Sequence, residues 1–260
     1  MPELADVEVF RQYLNATALH QEIAHTHVEG EQILAGTSPQ GLGRALKNNQ
    51  FDATRRHGKY LFIELHHGGW LVMHFGMTGR LSYFDGDRQT PEHTQLLLDF
   101  KNGRRLAYVA PRKLGRIELT RNPPTFIAAH ELGPDALTPS LADFKRLAEG
   151  RRGSVKGWLM NQQVMAGIGN VYADEILFQA RIHPRRKVQD LDARDLDTLY
   201  KKIHQVFDAA IAAKVAPDDM PDDFLLPHRK KGGNCPGCQG KVKQIAVSGR
   251  NGWYCPRCQE

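Results

Sequence analysis

The sequence predicts an α+β chain in two parts, β-rich first and helical afterwards, closed by a cysteine-bearing hairpin. Three observations carry this. Short β-prone runs separated by turn residues fill residues 20–120, apolar residues at helical spacing take over from about residue 130, and all four cysteines fall in the last 26 residues. With 41% apolar and 25% charged residues, the 260-residue chain can build a real core in each part.

The chain opens Met1-Pro2-Glu3-Leu4, and Val7, Phe10, Tyr13 and Leu14 then follow at helical spacing. If Met1 is removed, Pro2 presents a secondary amine at a helix N-terminus. A free α-amino group titrates near 7.7–8.0, roughly two units below lysine, so much of it is an unprotonated nucleophile at neutral pH. The positive end of the helix dipole disfavours its protonation further. Such an amine can add to a sugar aldehyde carbon to give an iminium ion, with Glu3 beside it for proton transfer. The plain alternative is a proline that merely opens a helix.

Strands are expected at Glu22 to Val28, Tyr60 to Leu65, Trp70 to His74, Gln95 to Phe100 and Leu106 to Val109. Turns are expected at His67-Gly68-Gly69, Asp85-Gly86-Asp87 and Lys101-Asn102-Gly103. Short strands with hairpin turns make a β-sandwich or a barrel. Basic residues (Arg55, Arg56, Lys59, Arg80, Arg104, Arg105, Arg112, Lys113 and Arg116) are read as turn residues. Two loops place apolar side chains beside cations: His74 to Arg80, with Met77 among glycines, and Ala110 to Arg116, with Leu114. They are either ordinary hairpin tips or a wedge of the kind that enters a base stack from the minor groove.

In the second part, Ser140 with Asp143 is a capping box for a helix through Arg146 and Leu147. A helix is expected over Val155 to Asn161. The turn Ala166-Gly167-Ile168-Gly169-Asn170 opens a further helix whose first N–H groups can hold an anion. Leu196, Leu199, Ile203, Val206, Phe207 and Ala210 form the core stripe of a third helix. Pro217 to Asp223 is an acidic, proline-bearing linker or surface loop.

The tail carries Cys235-Pro-Gly-Cys238 and Cys255-Pro-Arg-Cys258, two knuckles separated by 16 residues. Four thiolates at this spacing suit one tetrahedral Zn2+. A β-hairpin with Gly249-Arg250-Asn251-Gly252 at its tip fits between them. From His228 to Cys258 the chain has seven cations and no Asp or Glu, which favours nucleic acid as partner. The net charge of +6 points the same way. No apolar run reaches membrane-spanning length, no secretory signal opens the chain, and the expected compartment is the reducing cytoplasm. The twelve histidines show no ligand spacing.

In combination these stretches resemble the formamidopyrimidine-DNA glycosylase/endonuclease VIII family along almost the whole chain. The matching residues are Pro2-Glu3-Leu4 with Val7-Glu8, Gly58-Lys59-Tyr60-Leu61, Gly76-Met77-Thr78-Gly79, Pro111-Arg112-Lys113, Gly115-Arg116, Gly167 to Glu175 and the zinc ribbon with Gly249-Arg250. The resemblance implies a catalytic β-sandwich domain over residues 1–125, a helix–two-turn–helix domain over 130–227 and a zinc finger over 228–260. It implies a monomeric base-excision repair enzyme acting on damaged double-stranded DNA, or on single-stranded or distorted DNA, with one structural Zn2+ and no membrane partner. By resemblance Pro2, Glu3, Lys59 and Arg250 are catalytic, and β,δ-elimination nicks the strand. Lys59, Asn170 and Arg250 grip phosphates, while Met77, Arg112 and Leu114 fill the vacated stack. The chain departs from the family at Ala5-Asp6, at Ala110, at Leu114 where a phenylalanine is usual, and in the short segment Val215 to Pro227. Purine-directed members carry a longer glycine- and threonine-rich loop there. The rival reading is a non-catalytic binder of damaged or structured DNA on the same fold, with an RNA-binding zinc-ribbon protein more distant.

Overall fold

Two large apolar cores form along the chain, with a smaller cluster at the C-terminal cysteines. The computed structural model describes residues 1–260, and they divide into one unit of Met1–Pro2 with Asp6–Glu131 and a second of Glu3–Ala5 with Leu132–Glu260.

The first unit begins with α1 (Leu4–Thr17), which turns Val7 and Leu14 inward. Next come β1 (Ile23–Val28), β2 (Leu34–Ala35), α2 (Pro39–Leu46), β3 (Phe51–His57), β4 (Tyr60–Leu65) and β5 (Trp70–His74). They are followed by β6 (Arg80–Asp85), β7 (Thr94–Phe100), β8 (Arg104–Val109), β9 (Arg116–Thr120) and α3 (Pro123–Ala129). The strands make a four-stranded sheet, β1-β7-β8-β6, and a five-stranded sheet, β2-β9-β5-β4-β3. Side chains alternate across a strand, so Leu61, Ile63 and Leu65 of β4 share one core with Leu96, Leu98 and Phe100 of β7. That shared core is the β-sandwich. On the opposite face of β4, Phe62 meets Phe126 of α3, with ring centroids 5.3 Å apart.

Four strands were not foreseen: β2, β3, β6 and β9. The last three carry arginines that the sequence reading placed in turns. Arg55 and Arg56 instead lie in β3, opposite Phe62 and Leu61. Arg55 stacks over the Trp70 ring at 5.2 Å, and Arg56 donates to Glu8 at 3.2 Å. Arg80, Arg104, Arg105 and Arg116 are strand residues too. Long cationic side chains suit a strand when their stems pack and their heads reach water or a carboxylate. The turn at Asp85 to Asp87 is not a hairpin, because β6 and β7 are separated in the sheet by β8.

In the second unit α4 (Leu141–Ala148) begins with the capping box of Ser140 and Asp143. Then come α5 (Val155–Leu159), α6 (Asn170–Gln179) and α7 (Ala193–Ala212), the last with its own box from Asp192 and Asp195. Each such cap is worth about 1 kcal/mol. Helix α6 is enclosed: every residue from Tyr172 to Phe178 is buried. Against it α7 lays Leu199, Ile203, Val206, Phe207 and Ala210, the expected stripe. The chain ends in a hairpin of β10 (Lys243–Val247) and β11 (Arg250–Tyr254). The tip is narrower than expected. Ser248 and Gly249, both at positive φ (50° and 71°), make the turn, and Arg250 opens β11.

Candidate functional site

Glu3 directly follows Pro2 and precedes the first turn of α1. Although ionisable, it is fully buried. Its Oε2 accepts from the Gly169 N–H at 2.8 Å and the Tyr172 N–H at 3.2 Å, and its Oε1 from the Val171 N–H at 2.9 Å. The anion site expected at the start of α6 therefore holds the chain's own carboxylate. The favourable helix end and its unpaired N–H groups explain why a buried carboxylate can rest there. Gly169 is required for the approach, since a Cβ would stand 2.3 Å from the Glu3 carboxyl carbon. Gln162 shapes the same turn: it accepts from the Gly167 N–H at 3.0 Å and donates to the Ile168 carbonyl at 2.8 Å. The Leu4 N–H, from the other side of Glu3, donates to the Gly167 carbonyl at 3.1 Å.

Asn170 is the first residue of α6, and its Nδ2 donates to the Asn251 carbonyl at 2.8 Å. The side chain expected on a phosphate is thus bonded to the strand that carries Arg250. Arg250 is exposed at the start of that strand.

In the first unit Lys59 sits in the two-residue turn between β3 and β4, where Gly58 has φ 56°. Burial, helped by the Lys59 and Arg116 cations, pushes His74 down to about 4. Its Nδ1 is an acceptor here, taking the Gly76 N–H at 3.2 Å. Met77, Arg112 and Leu114 occupy the two loops that the sequence singled out. Neither loop is a hairpin, because each crosses from one sheet to the other, β5 to β6 and β8 to β9. The loops touch, and a Cβ on Gly76 (φ 58°) would stand 2.5 Å from the Leu114 carbonyl. Met77 and Leu114 are 41% and 52% exposed, whereas nearly all other large apolar side chains are buried or half-buried. Two exposed apolar side chains on touching loops can act as one wedge.

The four cysteines converge, with their Sγ atoms within 4.8 Å of one another. Cys235 and Cys258 are 3.7 Å apart and Cys238 and Cys255 3.5 Å, too long for disulfides. A tetrahedral ion with metal–sulfur bonds near 2.3 Å has an edge of about 3.8 Å, so the thiols can hold one.

Sequence reasoning missed four buried charges, Asp135, Lys156, Asp174 and Glu175. The last three lie in expected helices, but only the packed fold shows that these positions are covered. Glu175 accepts from the Leu225 and Leu226 N–H groups at 3.1 and 2.7 Å and from Gln179 at 3.1 Å. Burial pushes its carboxyl up to about 7 despite those donors.

Known proteins resemble this chain over its whole length. Residues 1–117 match the formamidopyrimidine-DNA glycosylase N-terminal domain, and residues 132–218 match the formamidopyrimidine-DNA glycosylase H2TH domain. The formamidopyrimidine-DNA glycosylase of Desulforamulus reducens is 31% identical, with 100% of this chain and 99% of the relative covered. That of Moorella thermoacetica is 33% identical over 99% of this chain and 92% of the relative. Among solved structures, a Lactococcus lactis Fpg with abasic-site DNA superposes with a TM-score of 0.88 at 25% identity, covering 99% of both chains. A mutant of the same enzyme with Fapy-dG containing DNA gives 0.89 at 25% identity, covering 100% of both chains. With both of its domains present in order and full-length relatives at this identity, the chain belongs to the formamidopyrimidine-DNA glycosylase family.

Proposed function

We propose that the protein is a bifunctional enzyme of base-excision DNA repair, a DNA glycosylase with abasic-site lyase activity. The observation that carries this is Glu3, buried on the N-terminus of α6 immediately after Pro2. Such a seat fixes one carboxyl group next to the nitrogen that becomes the terminal amine when Met1 is removed. Met1 is 48% exposed, so it is open to a processing enzyme.

The target base lies inside the duplex stack, so the nucleotide must be turned out before C1′ can be attacked. The Pro2 nitrogen then donates its lone pair to C1′. The bond from C1′ to the base breaks, and the base departs with that electron pair and takes a proton from water. Bond formation leaves the Pro2 nitrogen as an ammonium; the Glu3 carboxylate takes its N–H proton and passes it to the sugar ring oxygen as the C1′–O4′ bond opens, which leaves an iminium ion on Pro2. The iminium acidifies the 2′ hydrogens. Loss of one expels the 3′ phosphate (β-elimination), and a second elimination expels the 5′ phosphate. Lys59, Asn170 and Arg250 hold the flanking phosphates, while Met77, Arg112 and Leu114 fill the vacated stack. Cys235, Cys238, Cys255 and Cys258 hold one structural zinc ion, which keeps the finger folded and takes no part in the chemistry.

Borohydride added during turnover tests this. A covalent protein–DNA adduct should form and map to an N-terminal peptide that begins at Pro2. An N-terminal tag, which moves the amine from its place, should abolish trapping. An adduct on Lys59, or trapping undiminished by the tag, would rule out Pro2 as nucleophile.

A further inference from the structure

Beneath the finger hairpin lies a charge cluster that the mechanism does not use. Lys156 of α5 and Asp174 of α6 are both fully buried, with Nζ 2.6 Å from Oδ1. The approach is off the line of a directed hydrogen bond, so this contact is an ion pair. The other oxygen, Oδ2, accepts from Arg229 Nη2 at 2.8 Å and Nε at 3.2 Å, and from the Trp253 N–H of β11 at 2.9 Å. Strand β11 comes so close that a Cβ on Gly252 would stand 1.9 Å from the Lys156 Nζ and 2.5 Å from Asp174 Oδ1. Further ties join the same surfaces: Asn170 to the Asn251 carbonyl at 2.8 Å, and Ser154 Oγ to Ser248 Oγ at 3.2 Å.

We infer that Asp174 and Arg229 are positioning residues for the DNA reaction: they fasten β11 to α5 and α6 and so fix where Arg250 stands. This rests on the reading of Arg250 as a phosphate grip. Buried ion pairs are costly to desolvate, and apolar residues of similar size would often be more stable, so the cluster is poorly explained by stability alone. What it supplies is register. Trp253 is three residues from Arg250 on one extended strand, and its backbone N–H is held by a charge that cannot slide. Arg229 was counted in the sequence among the cations facing nucleic acid, but the structure spends its charge on Asp174.

The decisive variants are Arg229→Gln and Arg250→Ala, singly and together. Asp174→Asn leaves Lys156 buried without its partner and can fail to fold, whereas Arg229 is at the edge of the cluster with 15% of its side chain exposed. Zinc content, amide exchange along 247–253 and affinity for a duplex with a tetrahydrofuran abasic analogue are measured for each. Arg229→Gln should keep its zinc, speed exchange at the Trp253 amide and weaken binding on the order of tenfold, the size of one charged hydrogen bond. The single-turnover cleavage rate at saturating enzyme should fall less than the affinity. Adding Arg250→Ala should then cost no more than Arg250→Ala alone, because both act through one contact. Additive losses, or exchange at Trp253 unchanged by Arg229→Gln, would overturn the inference while leaving the phosphate grip intact. If Arg250→Ala alone left affinity unchanged, the grip itself would fall, and the positioning role with it.

Discussion

At Gly169 one methyl group decides whether Glu3 can reach its seat. An alanine Cβ would lie 2.3 Å from the Glu3 carboxyl carbon and 2.4 Å from Oε1, so the carboxylate must leave or α6 must shift. Gly169→Ala is therefore expected to lower base excision by roughly the amount lost with Glu3→Gln, on the order of 10²–10⁴-fold for a misplaced general acid–base group. Affinity for the abasic analogue should be largely kept. Single-turnover kinetics on a lesion-bearing duplex, with binding measured separately, checks this, and a Gly169→Ala enzyme with normal excision would refute the seat. The glycine run was legible in the sequence as a close approach and an anion site. The identity of the anion was not, because Glu3 lies 166 residues away and nothing local links the two.

Among elements, those defined by local chemistry were the readable ones. The Cys235 and Cys255 knuckles, the Ser140 cap and the apolar stripe of α7 each declare themselves within a few residues. Strands β3 and β9 do not: their arginines are accommodated only by Glu8, Trp70 and neighbouring strands that the chain brings up from elsewhere. The C-terminal hairpin with its four clustered cysteines is also the element that would depend most on a bound metal. Its core is five buried residues, of which Phe178 and Leu225 are lent by the helical part and only Cys235, Val242 and Cys255 are its own, two of these being thiols of the cysteine cluster. A structural zinc contributes roughly 10–16 kcal/mol in small finger peptides, far more than such a core can. Metal analysis of reduced protein should give one zinc per chain. A chelator or Cys255→Ser should release it and raise amide exchange across β10 and β11, with the strands of the sandwich unaffected. A metal-free preparation with a protected hairpin would contradict this.

At the scale of the whole molecule, the question the fold leaves to its details is which lesion is removed. The resemblance sets a long covering loop over 8-oxoguanine in purine-directed enzymes, and here only residues 213–242 join α7 to β10. Most of the acidic part of that connection is fastened down. Met220 and Phe224 are buried in the helical core, Pro217–Asp219 is a single 3-10 turn, and Glu175 holds the Leu225 and Leu226 N–H groups. The exposed side chains of this stretch are Pro217 and the four carboxylates, Asp218, Asp219, Asp222 and Asp223. Such a segment cannot lift over a flipped base without drawing apolar side chains out of the core, at about 1.5–3 kcal/mol for each one fully exposed. Lesions that pair and stack poorly need less help, because the flipping cost of a few kcal/mol is already partly met by their distortion. On a panel of duplexes with one defined lesion each, ring-opened purines and oxidised pyrimidines should be cut faster than 8-oxoguanine opposite cytosine. Glu175→Gln, which loses an acceptor for one of the two N–H groups, should loosen the segment and narrow that difference. If 8-oxoguanine opposite cytosine proves the fastest substrate of the panel, the fastened segment does not set the choice of lesion.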